Sequence, residues 1–197
     1  MPSPLGHALG GIAAGWAVAG VDGHIGSGAG EPRDRRRAWT PTVIFAVLGG
    51  LPDLDLLVGL HSRYSHSLGA TVLVAVFAAL AFDRVRPAAG HGTGPTTHQT
   101  ARLVFALACG AAYGSHILLD WLGSDTTAPI GIMALWPWSS SFYQSDLHWF
   151  GAISRRYWRP EFVTMNLLAA WRELLILGPL VIAIGWLRAR KPRPVLR

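Results

Sequence analysis

Histidine and aspartate side chains interrupt the apolar segments of this chain at spacings that suit metal binding. His116 and Asp120 are four residues apart, so on a helix they share one face about one turn apart and can reach a common ion. The same spacing also fits a plain hydrogen-bonded pair. Neutral imidazoles and carboxylates without thiolates suit Zn²⁺, Mn²⁺ or Fe²⁺, so the residue types indicate a divalent-metal site.

The sequence Gly-Gly-Leu-Pro-Asp-Leu-Asp, residues 49–55, is more specific. Gly49, Gly50 and Pro52 should interrupt a helix, and broken backbone at membrane depth is expected only where it lines a protein cavity. On a helix Asp53 and Asp55 would point about 200° apart, so one should bind the ion and the other should support a ligand or cap a helix. We assign the ligand role to Asp53 and the supporting role to Asp55. The alternative is a helix restart with an aspartate cap.

The segment His-Ser-Arg-Tyr-Ser-His-Ser, residues 61–67, follows directly. His61 and His66 are five residues apart and would not share a helical face, so we predict a turn that ends in an N-cap. His66, immediately before the next apolar segment, is the stronger ligand candidate. Arg63 lies beside the proposed site, where its planar guanidinium could hold a phosphate or carboxylate. The alternative for Arg63 is a solvated arginine at the membrane interface.

These residues together predict hydrolase chemistry. Asp53, His66, His116 and Asp120 would bind one ion, and Asp120 could bridge to a second ion near His7. A catalytic metal keeps one position open for water, whose pKa it lowers toward about 7. The sequence contains no G-x-S-x-G, H-E-x-x-H or phosphate-binding glycine loop, so serine hydrolases, zincins and nucleotide-binding proteins have no support.

The elements that must position these residues are predicted to be membrane helices. The chain has 197 residues, is 51% hydrophobic and 14% charged, and carries a net charge of +6. Its single cysteine, Cys109, excludes an intrachain disulfide framework. An aspartate in a membrane segment costs about 2.5–3.5 kcal/mol on insertion scales, so it is rarely kept without a partner. Apolar length predicts five spans: Leu5–Val21, Pro41–Leu60, Leu68–Phe82, Leu103–Leu122 and Leu174–Leu187.

Basic residues then predict the orientation of these helices. Lys and Arg in short connections stay on the cytoplasmic side, and most of the 17 such residues fall on one side when the C-terminus is inside. The N-terminus is then outside, and the candidate ligands lie near the outer face. The tryptophan-rich segment 123–170 is predicted to be an outer loop against the lipid headgroups. A basic charge at membrane edges gives no reason to expect a nucleic-acid partner.

At these residues the chain resembles the family of LexA-binding, inner-membrane-associated metal-dependent hydrolases. The matching elements lie within about residues 1–122: His7, Leu-Pro-Asp-Leu-Asp at 51–55, His-Ser at 66–67 and His116-x-x-x-Asp120. That family is distantly similar to the zinc-dependent phospholipase C and single-strand nuclease superfamily, which is all-helical with clustered zinc ions. The resemblance implies one metal at Asp53, His66, His116 and Asp120, and a neighbouring one at His7 and Asp120.

The secreted members of that superfamily also use later ligands. The resemblance makes His148 the counterpart here and a further catalytic candidate, with Asp146 or Glu161 as companions. It implies one or two ions, most readily Zn²⁺, and we do not carry LexA binding over to this chain.

The sequence therefore predicts an all-α bundle of about five spans forming one membrane domain over residues 1–197, with one span broken at Gly49–Pro52. The expected location is a bacterial-type inner membrane. The expected activity is hydrolysis of a phosphoester, with a small molecule or a lipid headgroup as substrate. Two other classes stay open. One is a transporter with a buried Asp/His path for cations or protons, and the other is a structural membrane protein whose polar residues pair its helices.

Overall fold

The computed structural model describes residues 1–19, 35–59, 61–85 and 95–190. Within these ranges all regular structure is helical, which confirms the predicted all-α class. The α-helices are α1 (Pro4–Ala19), α2 (Arg35–Gly50), α3 (Leu68–Val85), α4 (Pro95–Leu122) and α5 (Phe162–Arg190), and a 3₁₀ helix, Leu51–Val58, follows α2. Helix α2 thus ends where the Gly-Gly-Leu-Pro sequence predicted an interruption.

Three of the described helices are long and apolar enough to cross a membrane: Leu68–Val85, His98–Leu122 and Phe162–Arg190. The described residues therefore contain three candidate spans, fewer than the five predicted from the sequence. The described parts of α1 and α2 have 16 residues each and rise about 24 Å, short of the roughly 30 Å of a bilayer core. The 3₁₀ break after Gly50 prevents α2 from extending further.

Helix α1 lies inside the bundle, in contact with α2, α4 and α5. Its glycines allow a close approach to α2: a Cβ built on Gly11 would lie 2.3 Å from the Phe45 carbonyl oxygen, and one built on Gly49 would lie 2.2 Å from the His7 carbonyl oxygen. These contacts pair the start of α1 with the end of α2. The apolar residues of α1, which the sequence predicted as the first span, therefore pack against other helices of the bundle.

Helix α5 begins at Phe162, well before the expected span start at Leu174. Residues 162–170, which were predicted to belong to the outer loop, are therefore helical. The predicted span began after Arg172 and Glu173, and charged residues such as these are rare in spans. In the structure Glu173 is fully buried against the N-terminal segment, and Asn166 bonds to the backbone of Ser154. Both polar groups have partners, so the helix continues through them.

The irregular segment 123–161 packs over one end of the bundle. Phe150 is buried with Leu119 and Leu177, and Ile132 is buried with Met1 and Ile117. Its other aromatic side chains point outward, with Trp138, Tyr157 and Trp158 strongly exposed. Contact between these aromatic rings and the lipid headgroups stays a prediction, as does the sidedness of the chain.

Candidate metal centre

Four donor atoms converge on one point at the end of the bundle covered by segment 123–161. They are Oδ1 of Asp53, Oδ2 of Asp120 and the Nε2 atoms of His66 and His116. The two Nε2 atoms are 3.0 Å apart. Asp120 Oδ2 lies 3.3 Å from His66 Nε2 and 3.1 Å from His116 Nε2. Asp53 Oδ1 lies 3.8 Å and 3.7 Å from the same two nitrogens.

These five distances are close to those between neighbouring ligands of one tetrahedral ion. Ligands at about 2.0–2.1 Å from Zn²⁺ would be separated by about 3.3–3.4 Å along each edge of the tetrahedron. The separations given above, from 3.0 to 3.8 Å, surround that value. Both oxygens of Asp120 and both ring nitrogens of His7 are buried without a hydrogen-bond partner. Buried polar atoms of this kind are costly unless something binds them, and a cation satisfies the carboxylate.

The outer nitrogen of each histidine is held by a second group. His116 Nδ1 is 2.8 Å from the Gly49 carbonyl oxygen, which can only accept, so Nδ1 carries the hydrogen. His66 Nδ1 is 3.1 Å from Asp55 Oδ2 and donates to that carboxylate. In the neutral form of either ring the lone pair is then on Nε2 and faces the common point. This is the arrangement in which backbone or carboxylate partners orient metal-binding histidines.

His7 marks a second position beside the first. Its Nε2 is 3.3 Å from Asp120 Oδ1 and 3.9 Å from Asp53 Oδ2, which are the oxygens that the first position does not use. Its ring stacks on the ring of His116 with 3.6 Å between centroids. Both aspartates can therefore bridge two neighbouring ions, whereas the sequence had suggested only Asp120 as a bridge.

The turn that carries His66 is fixed from two sides. Tyr113 in α4 donates its hydroxyl to the Ser65 carbonyl oxygen at 2.7 Å, and Met133 donates its N–H to the Ser62 carbonyl oxygen at 3.0 Å. Ser67 accepts the N–H of Ala70 on its hydroxyl at 3.1 Å. This last bond is an N-cap for α3, so the predicted turn with an N-cap is confirmed.

Charge compensation is strong around the turn. Burial by itself would raise the pKa of Asp55, but hydrogen bonds from His61, His66 and Ser65 outweigh it and hold that pKa well below its usual range. Burial would lower the pKa of His66, but the carboxylates of Asp120, Asp53 and Asp55 outweigh it and raise the pKa to about 11. A proton and a divalent ion therefore compete for His66 Nε2.

The predicted residues divide into two groups. The five predicted ligands, His7, Asp53, His66, His116 and Asp120, come together, and Asp55 lies behind His66. Arg63 and His148 are exposed, and neither belongs to the candidate metal-binding groups found among the described residues. Their proposed catalytic roles stay predictions.

Sequence reasoning gave no role to three residues that the structure connects to the site. His61 donates from Nδ1 to Asp55 Oδ1 at 2.9 Å, and Arg155 donates to His61 Nε2 at 3.0 Å. Glu173 accepts the Ser3 N–H at 2.6 Å and also the Ser3 hydroxyl, which fixes the start of α1 just before His7. The criterion that selected Asp53 and Asp120, a carboxylate in an apolar helix, would also have found Glu173.

The fold and the site define an all-helical membrane protein with a buried His/Asp cluster. Over residues 1–192 the chain matches the family described as YdjM inner membrane protein. The chain belongs to this family, and the inner membrane location agrees with its three long apolar helices. Neither the curated proteins nor the solved structures contain a match to the chain.

Proposed function

We propose that this protein is a membrane-bound metal-dependent hydrolase that cleaves a phosphoester with water. The observation that carries the proposal is the convergence of two carboxylate oxygens on two imidazole nitrogens, at separations between 3.0 and 3.8 Å. A divalent ion bound there would act as a Lewis acid and lower the pKa of water to about 7. The mixed nitrogen and oxygen donor set suits Zn²⁺ best, with Mn²⁺ and Fe²⁺ as alternatives.

The residues of the cluster would have different roles in binding the two ions. Asp53, His66, His116 and Asp120 would hold the first ion, while His7 and the remaining carboxylate oxygens would hold a second. The Gly49 carbonyl oxygen and Asp55 keep the two histidines in the tautomer that leaves Nε2 free. Because these partners are already in place, the donor atoms need little rearrangement to bind.

The site has one partly open side. The Asp53 side chain is 22% exposed, whereas those of Asp120, His7, His66 and His116 are 0% exposed. Large apolar side chains, Leu54 and Leu57, lie exposed next to Asp53 in the 3₁₀ helix. An open carboxylate beside exposed leucines favours an amphiphilic substrate, and we infer a phosphoester in a lipid headgroup.

The reaction is a hydrolysis that needs no further reagent. The water oxygen forms a bond to phosphorus as the bond between phosphorus and the ester oxygen breaks. One water proton goes to the departing oxygen, which leaves as an alcohol, and the other water proton stays on the phosphate product or passes to solvent. Substrate, water and the two products balance in atoms and charge.

The test is a hydrolysis screen of purified protein before and after metal loading. The panel contains phospholipids, nucleotides and bis(p-nitrophenyl) phosphate, and Asp120→Asn is compared with Asp83→Asn, the same chemical change at an exposed aspartate of α3 outside the cluster. We expect activity that requires metal, is lost in Asp120→Asn and is kept in Asp83→Asn. Metal-loaded wild type that is inert on every phosphoester would count against the proposal.

A transport path is less well supported by the surroundings of the site. One helical turn below Gly49 and His116, the buried core is apolar and includes Phe45, Ala112 and Ala108. A path for cations would need polar groups in this layer. Metal-dependent hydrolysis without cation flux in proteoliposomes is therefore the expected outcome, and flux without hydrolysis would favour a transporter.

A further inference from the structure

Arg155 lies beside the metal centre, separated from it by one imidazole ring. Its Nη2 donates to His61 Nε2 at 3.0 Å, and His61 Nδ1 is 3.9 Å from Asp53 Oδ1. Asp53 is also the most exposed of the proposed ligands. The guanidinium therefore lies on the side of the cluster where Asp53 is exposed.

The backbone next to Arg155 is held in place. Asn166 in α5 accepts the Ser154 N–H on its side-chain oxygen at 2.7 Å, and its side-chain NH₂ donates to the Ser154 carbonyl oxygen at 3.0 Å. The Ile153 N–H donates to the Met1 carbonyl oxygen at 3.3 Å. A fixed backbone with an exposed side chain positions a charged group without burying it, which is what recognition of an external anion requires.

The charge of Arg155 is not neutralised by its contacts. Since Arg155 donates to His61 Nε2, that ring carries its hydrogen on Nδ1 and is neutral. In the described part of the chain no carboxylate forms an ion pair with Arg155. A guanidinium has five N–H donors, and the contact with His61 uses only one side of it.

We propose that Arg155 forms a subsite for the phosphate group of the substrate, next to the metal centre. The planar guanidinium matches two phosphate oxygens, and its contact with His61 holds it on the side of Asp53. This inference rests on the proposed hydrolase function and adds a specificity-determining residue to it. The subsite recognises a phosphate group, whether it belongs to a lipid headgroup or to a free phosphate.

The test measures phosphate binding to purified, metal-loaded full-length protein by calorimetry, with metal content determined on the same samples. The probes are inorganic phosphate and dihexanoyl phosphatidic acid. The variants are Arg155→Gln, Arg156→Gln as the matched neighbour, and Arg63→Gln for the arginine that the sequence had suggested. We expect Arg155→Gln to weaken binding about 10- to 100-fold, the usual range for losing charge-assisted hydrogen bonds, with less than about a twofold change for Arg156→Gln.

The possible outcomes separate the subsite from the metal centre. An effect of Arg155→Gln on both probes supports a phosphate subsite, and an effect on the lipid probe alone supports it with a headgroup as the ligand. Two results with metal-loaded protein overturn the subsite and leave the metal centre intact. In one, Arg155→Gln binds phosphate as wild type does. In the other, only Arg63→Gln weakens binding. Wild type that holds no metal after loading overturns the hydrolase, and the subsite with it.

Discussion

Replacing Asp120 by Asn should remove metal from both positions of the cluster, because Asp120 serves both. Its Oδ2 faces His66 and His116, and its Oδ1 faces His7. His7→Gln should remove only the second ion, because the nitrogens of His66 and His116 stay in place. The expected order of metal content is therefore two ions in wild type, one in His7→Gln and less than one in Asp120→Asn.

The magnitude follows from dividing a typical binding energy over the ligands. Structural Zn²⁺ sites bind with about 10–16 kcal/mol, which is roughly 2.5–4 kcal/mol for each of four ligands. Loss of one ligand then weakens binding on the order of 10²- to 10³-fold. Asn keeps the volume of the side chain but loses its charge, so this loss should appear without a cavity.

The assay is elemental analysis of protein purified in detergent, stripped with chelator, reloaded and desalted. Asp83→Asn is the control for the loss of one carboxylate, since Asp83 is exposed near the end of α3 and is not a candidate ligand. Chelator competition on the same samples gives the relative affinities. Circular dichroism should show equal helix content in all variants.

Two results would refute the reasoning. The first is wild type that stays metal-free after reloading, because the donor geometry would then serve only to pair the helices. The second is Asp120→Asn that retains both ions at wild-type affinity, since no position in the cluster would then depend on its carboxylate.

Further predictions concern the surroundings of the site. Because the pKa of His66 is raised to about 11, metal affinity should rise about tenfold per pH unit between about pH 7 and 9 as an ion displaces its proton. Calorimetry in different buffers should detect the release of about one proton. If no proton is released, the raised pKa is contradicted. The same shift stabilises the ion-free fold. This stabilisation is complete below about pH 6.5 and is lost as the pH rises through about 11, which urea titrations can follow. Gly49→Ala should destabilise the fold by about 1–3 kcal/mol or more and lower metal content, because its Cβ would lie 2.2 Å from the His7 carbonyl oxygen. Gly50→Ala is the control, because a Cβ there meets nothing within 4 Å. Equal melting temperatures of the two variants would show that α1 and α2 do not pack this closely. Glu173→Gln should cost about 1.5–3 kcal/mol of stability through its bonds to Ser3, with the exposed Glu161→Gln unchanged in the same thermal unfolding assay.

The sequence by itself determined the local features of this protein. Three apolar segments became membrane-length helices because apolar length is a property of the segment alone. Gly49, Gly50 and Pro52 ended α2 because these residues disfavour a continuing helix whatever surrounds them. The i, i+4 spacing of His116 and Asp120 fixed their common face once α4 formed.

The tertiary structure alone decided which distant residues meet. That α1 lies in the centre of the bundle follows from its contacts with α2, α4 and α5, which its apolar composition does not specify. The roles of His61, Arg155 and Glu173 depend on contacts between residues far apart in the sequence. Arg155 and His61 are separated by 94 residues, and Glu173 and Ser3 by 170. Local periodicity carries no information about such distances, because they depend on how the helices pack and on where segment 123–161 returns over the bundle.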